Sequence, residues 1–274
     1  IGSSAFKNCG NLQQVSIPAT VTEVGQHAFE GCSGMTSITL PSSVKKVGRC
    51  AFARCSALAS VQGLADDVAF GSNVFEGCTK LYTNGMLIIG GNLLGTLKTI
   101  SGSVVVPEGV HTICDSAFAD ASDDDYYNYR QGIESIQLPS SLRRIGSYAF
   151  EHCTGMSAIA IPNGVTNIGH SAFYYCKGLK EIDIPENVRT MGDYALAGCS
   201  SLTKLTLPMN IGDAKKRGIS AMNSWVKTFY SEADPIEEVV LTGTAEYCNF
   251  TLEDFVQLKK VTIPNSLKSL NWDM

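Results

Sequence analysis

The sequence predicts a repeat solenoid of the α/β type, built from stacked coils whose short strands pair in parallel. Three observations predict it. Seven of the ten cysteines, Cys9, Cys32, Cys55 and Cys78, then Cys153, Cys176 and Cys199, fall on a lattice with a step of 23 residues within each group. The pair Ala-Phe recurs in phase at Ala5-Phe6, Ala28-Phe29, Ala51-Phe52, Ala117-Phe118, Ala149-Phe150 and Ala172-Phe173, with Val74-Phe75 and Ala195-Leu196 as variants. Proline recurs at Pro18, Pro41, Pro107, Pro139, Pro162, Pro185, Pro208 and Pro264, and Leu64, Leu87 and Thr242 take that place in weaker repeats. The steps between these eleven positions are 23, 23, 23, 20, 32, 23, 23, 23, 34 and 22. A period of this length marks stacked supersecondary units. One domain over residues 1–274 is therefore expected, with strong repeats over 1–81 and 133–208.

One coil, Leu12 to Cys32, shows the logic. Val15 and Ile17 alternate with Gln14 and Ser16, which is a short strand with a buried and an exposed face. Pro18 lacks an amide donor and ends the ladder. Val21 and Val24 return apolar side chains inward, and Gly25 permits a tight turn. Ala28, Phe29 and Cys32 have the spacing of one helical turn. A lone coil cannot bury its apolar side, whereas stacked coils can.

Composition narrows the function. Lys and Arg number 21 against 26 Asp and Glu, so no basic excess exists to neutralise phosphates, and nucleic acid is not an expected partner. No apolar run approaches the ~18 residues of a membrane helix. Charged residues are only 17%, which excludes a disordered chain.

The pattern I-G-x-x-A-F-x-x-C-x-x-L-x-x-I-x-I-P-x-x-V resembles the BspA-like leucine-rich repeat family of bacterial surface proteins. The likeness is strong over 1–208 apart from insertions and weak over 236–270. It implies a right-handed leucine-rich repeat arc with a parallel β-sheet on the concave face and short helical turns or loops on the convex side. It also implies export to the cell surface and a role in adhesion or ligand capture.

The lattice cysteines read as small buried free thiols beside each Phe. Redox or metal chemistry is the competing reading, but no CxxC pair exists. Neighbouring rungs would also point their side chains in parallel. Cys50, Cys114 and Cys248 lie off the lattice and have no assignment.

Three segments interrupt the array, and insertions in solenoids often carry binding. In 83–102, apolar residues flank Gly90-Gly91-Asn92, which suggests a β-hairpin; a short 20-residue repeat is the alternative. In 120–132, Asp123, Asp124 and Asp125 precede Tyr126, Tyr127 and Tyr129. A solvated loop is the default reading there. Tyrosine-based binding is a second, and a calcium site a third, although the EF-hand spacing is absent. In 212–235, Met222, Trp225, Val226 and Phe229 follow helical spacing. This amphipathic helix is expected to pack on the solenoid, with partner binding as the alternative. Residues 236–274 read as degenerate repeats and a cap.

The exposed strand face follows from the register. Gln14, Ser16, Ser37, Thr39, Ser60, Gln62, Ser135 and Gln137 make a neutral, hydroxylic and amide-bearing half. Glu181 and Asp183, followed by Lys204/Thr206 and Lys260/Thr262, bring charge to the later half. With the acidic and tyrosine loop, these are the candidate ligand-binding residues; plain solvent exposure is the competing reading. Protein is a better-fitting ligand than glycan, because this face has no aromatic platform.

No catalytic constellation is present. HExxH, GxSxG and Walker patterns are missing. His27, His152 and His170 sit around the Ala-Phe turns, on the outer side, and an open sheet offers no pocket to tune an acid. No catalytic residue, metal or cofactor is expected. The chain starts in mid-repeat without an initiator Met, so a part of a longer, monomeric surface protein is expected; the lack of a leader says nothing for the cytoplasm. The expected function is a non-enzymatic protein-binding or adhesion module. A structural spacer and an intracellular scaffold are the alternatives.

Overall fold

The computed structural model describes residues 1–65, 68–119, 132–209, 235–244, 247–248, 252 and 255–270. The chain divides into two compact units, Ile1–Leu93 and Leu94–Met274. Each is a leucine-rich-repeat stack of coils with parallel sheets.

In the first unit, the coils build three columns. The strands Ser37–Thr39 and Ser60–Gln62 pair in parallel, Ile38 opposite Val61. Ile38 is buried between exposed Ser37 and Thr39, the alternation a half-buried strand requires. A second parallel sheet runs Glu23–Val24, Lys46–Val47, Ala69–Phe70. It turns the core-directed valines Val24 and Val47 into strand residues, because two extended residues suffice when a coil lies on each side. Val15–Ile17 lies outside the strands and its two apolar residues are only half-buried.

The third column is the Ala-Phe turn. Alternate amides donate to the next coil: His27 to Arg49 (2.9 Å), Phe29 to Ala51 (2.7 Å) and Gly31 to Ala53 (2.8 Å). The amides between them bond locally, Glu30 to His27 (3.2 Å) and Cys32 to Phe29 (3.1 Å). This alternation needs left-handed backbone at two places per coil. The residue before Ala supplies one (His27 56°, Cys50 52°, Asn73 57°) and the residue before Cys the other (Gly31 74°, Arg54 59°, Gly77 75°). The turns are thus loops, except for the 3-10 helix Thr79–Leu81. Cys50 is explained by this lattice rather than by the cysteine one.

The interior is layered. Phe6, Phe29, Phe52 and Phe75 stack with centroids 5.0, 5.2 and 5.5 Å apart. Three of the lattice thiols donate to the Phe carbonyl of the preceding coil: Cys32 to Phe6 (3.1 Å), Cys55 to Phe29 (3.1 Å) and Cys78 to Phe52 (3.0 Å). A small sulfur donor therefore fills the gap beside each ring and satisfies a buried acceptor.

At the junction, Met86–Ile89 and Asn92–Thr96 are neighbouring strands joined by Gly90 (φ 54°) and Gly91 (φ 73°). Two positive φ values match the tight hairpin turn whose twist suits flanking strands. The buried Asn92 amide donates to the carbonyls of Ile89 (3.3 Å) and Gly90 (3.0 Å).

The second unit repeats the scheme. One sheet runs Gly102–Val105, Ile133–Gln137, Ala158–Ile159, another Glu181–Asp183, Lys204–Pro208, Glu238–Thr242, Lys260–Thr262. An Ala160–Asp183 bridge links the two. Bonded strand partners lie 32 residues apart at Ser103–Ser135 and 22 at Glu238–Lys260, against 23 at Glu181–Lys204. The longer step from Lys204 to Glu238 keeps a continuous register, whereas the pairing of Gly102–Val105 with Ile133–Gln137 shifts register between Ile133 and Ser135. The second sheet runs Thr112–Ile113, Arg144–Ile145, Asn167–Ile168, Thr190–Met191. Phe118, Phe150 and Phe173 stack at 5.1 and 5.2 Å. Cys176 and Cys199 donate to Phe150 (3.1 Å) and Phe173 (3.2 Å).

One glycine per coil is set by approach rather than by turn conformation. A Cβ on Gly169 would lie 2.4 Å from the Ser147 nitrogen, and one on Gly25 2.6 Å from that of Ser3. Cys114 occupies this same place in the coil after the hairpin, where the preceding segment, Asn92–Thr96, is a hairpin strand.

Candidate binding surfaces

The strand face in the first unit is neutral. Ser37, Thr39 and Gln62 are exposed and Ser60 is half-buried, with Gln62 Nε2 donating to Ser60 Oγ (3.2 Å). Gln14 and Ser16 are exposed but stand outside the strands. In the second unit, half-buried Ser135 donates to Ser103 Oγ (3.0 Å). Exposed Gln137 lies in register with Val105, which is 56% exposed.

The charged half is spent on internal pairs. Glu181, Lys204, Glu238 and Lys260 occupy one row, so sign alternates along it. Lys204 Nζ lies 3.5 Å from Glu181, Lys260 Nζ 2.8 Å from Glu238, and Lys259 Nζ 2.7 Å from Glu237. The Lys260 hydrogen bond holds the Glu238 carboxyl below its ordinary pKa. Thr206 donates its hydroxyl to Asp183. Glu181 and Asp183 thus face their neighbours as much as solvent.

Asp123, Asp124, Asp125, Tyr126, Tyr127 and Tyr129 lie outside the described residues, as do Met222, Trp225, Val226 and Phe229.

A further surface was not foreseen as a site. On the turn face of the second unit, Tyr148 meets His170 edge-on (5.2 Å) and His170 meets Tyr194 edge-on (5.6 Å). His152 contacts Tyr174 (6.0 Å) and Tyr175 (5.2 Å), and those two tyrosines lie 4.6 Å apart. Lys177 Nζ sits 5.2 Å from the Tyr175 ring. Burial raises the Glu151 carboxyl pKa, and burial, then the Lys177 charge, lowers that of His152. Apart from the adjacent Tyr174 and Tyr175, the paired rings are 22 to 24 residues apart in sequence, so the coil period brings them together.

Cys9, Cys32, Cys50, Cys55, Cys78, Cys114 and Cys176 form no disulfide. Burial raises the Cys32 pKa to about 11 and that of Cys176 well above the ordinary thiol value, whereas hydrogen bonding between Cys55 and Cys78 raises the first of that pair and lowers the second. Among the described residues no cluster of His, Cys, Asp or Glu could hold a metal, and no helix is long and apolar enough to cross a membrane.

Residues 1–123 and 121–224 match the BspA type leucine rich repeat region, in six copies. Comparison with curated proteins finds no match. Several solved structures are similar. A leucine rich cell surface protein from Faecalibacterium prausnitzii A2-165 is 20% identical over 99% of this chain and 73% of its own, with TM-score 0.47. The pneumococcal vaccine antigen PcpA is 17% identical over 89% and 71%, with TM-score 0.49. A leucine-rich repeat protein from Bacteroides ovatus ATCC 8483 is 20% identical over 96% and 80%, with TM-score 0.37.

Proposed function

The chain belongs to the BspA type leucine-rich repeat family, and from that premise we propose that it is a non-enzymatic module that binds protein at a bacterial cell surface. The ligand is a host matrix or surface protein, held on the strand face, and the role is adhesion. The observation that carries this reading is the neutral row of Ser37, Thr39, Ser60 and Gln62, displayed on paired strands. Hydroxyls and amides on a rigid ladder offer donors and acceptors without the larger cost of burying a charge. The charged row supports the same reading by default, because its carboxylates and ammonium groups already pair with each other.

The test is binding of the purified chain to immobilised collagen, laminin and fibronectin by surface plasmon resonance. At least one should bind, and Ser37→Arg/Gln62→Glu should weaken it by roughly tenfold, a change of ~1.4 kcal/mol, without lowering the melting midpoint. If none binds, or the double change is silent, the spacer reading takes its place.

A further inference from the structure

Among the described residues, aromatic rings gather on the turn face of the second unit rather than on the candidate strand-face positions. We propose that the two ring clusters of this face, Tyr148/His170/Tyr194 and His152/Tyr174/Tyr175, bind a neutral pyranose oligosaccharide. This is a different face and a different ligand class from the protein site above.

The chemistry of the patch selects the ligand. A pyranose has apolar C–H faces and a rim of hydroxyls. Tyrosine offers a ring to the one and a phenol to the other, and an imidazole adds a donor and an acceptor. Tyr148 is 36% exposed, and the other five residues are partly exposed. Glu151 and Asp193 stand against Lys177, so no cationic excess exists to hold an anionic glycan or a phosphate chain. Tyrosines also occur in protein interfaces, so a protein partner is the other outcome the experiment separates. The exposed large aliphatic side chains among the described residues, Leu97, Val105, Val256, Val261 and Ile263, all lie on other segments.

The coil period decides which residues present these rings. Tyr148 (56°), His152 (58°), Tyr175 (57°) and Tyr194 (59°) all sit in the left-handed conformation that every coil requires at these places. Other coils fill these positions mostly with small residues, among them Ser4, Asn73 and Ser116, and Gly31, Gly77 and Gly198. Gly198 makes room for its neighbour: a Cβ there would lie 2.5 Å from Tyr175 Cδ2. Three successive coils therefore carry large polar-tipped rings where a smaller residue fits the fold with less strain. Coils repeat at about 4.8 Å, so the rings span the reach of a short oligosaccharide.

The experiment is calorimetric titration of the full chain with cellohexaose, chitohexaose, maltohexaose and mannohexaose, each alone. At least one should bind. Tyr148→Ser/Tyr174→Ala/Tyr175→Gly/Tyr194→Ser, which uses residues found at the same places in other coils, should weaken it about tenfold or more. Tyr175→Gly alone should weaken it in the same direction and guards against misfolding of the quadruple variant. Ser37→Arg/Gln62→Glu should leave saccharide binding unchanged, so this site and the strand face fail separately. The proposal is overturned if no hexasaccharide binds, or if both tyrosine variants retain full affinity. It is also overturned if those variants lose a matrix protein while no sugar binds, which would reassign the patch to a protein partner.

Discussion

At the residue scale, the coil period is written in side chains that cannot be exchanged cheaply. Gly169 faces the Ser147 nitrogen, a backbone atom that cannot swing away. Gly169→Ala should cost about 2–3 kcal/mol through overpacking. Gly95→Ala, where a Cβ meets nothing within 4 Å, should be close to neutral. Urea unfolding of the two variants checks the contrast. Cys55→Ala removes a buried sulfur and its bond to the Phe29 carbonyl. It should cost about 1–2 kcal/mol, while Cys55→Ser keeps a donor at the same place. Cys, Phe and Pro were legible because each recurs at one fixed step. The left-handed positions were not, because residues as unlike as His27, Cys50, Asn73 and Tyr148 hold them. What they share is a backbone state imposed by the next coil, and no residue type announces it.

At the element scale, strands of two and three residues hold together through stacking rather than length. The strand Ser37–Thr39 was readable from alternation. The second sheet, with strands such as Lys46–Val47, was not, because two residues show no period. The charged residues of the later strands were readable, but their pairing needed the register Glu181–Lys204–Glu238–Lys260. Carboxylates also clip coil to coil. Glu108 accepts from the Ser140 amide (2.9 Å) and hydroxyl (3.1 Å), and the amide bond first of all lowers its pKa. Hydrogen bonding first to Lys7 lowers that of Glu30, and to Lys46 that of Glu23. A carboxylate with a lowered folded pKa contributes stability above its unfolded pKa and loses it as pH falls through the folded one. Stability should therefore decline below pH ~4.5. Glu108→Gln should lower the neutral-pH midpoint and flatten that acid decline. Glu151 acts the other way: burial raises its pKa, so its contribution is lost as pH rises through the folded value. Glu151→Gln should raise the melting midpoint at neutral pH, as read by thermal scans.

At the scale of the molecule, a single domain over residues 1–274 is our proposal, and its physical reading is one cooperative unfolding event. Calorimetry of the full chain should give one transition; two would divide it at the Leu93–Leu94 boundary. The neutral strand row was legible because strand alternation fixes its faces. The aromatic patch was not, since six residues spread over three coils look unrelated until the period folds them together. The central claim is that within each unit the coils share a layered interior in which the buried lattice thiols Cys32, Cys55, Cys78, Cys176 and Cys199 bond the Phe carbonyl of the preceding coil. Alkylation of the native chain with iodoacetamide, mapped by mass spectrometry, tests it most directly. Cys9, which is exposed, should react quickly, while Cys55, Cys78, Cys176 and Cys199 should stay unmodified until denaturant unfolds the chain. Reaction of those four at the rate of Cys9 in native buffer, or their recovery as disulfides, would contradict it.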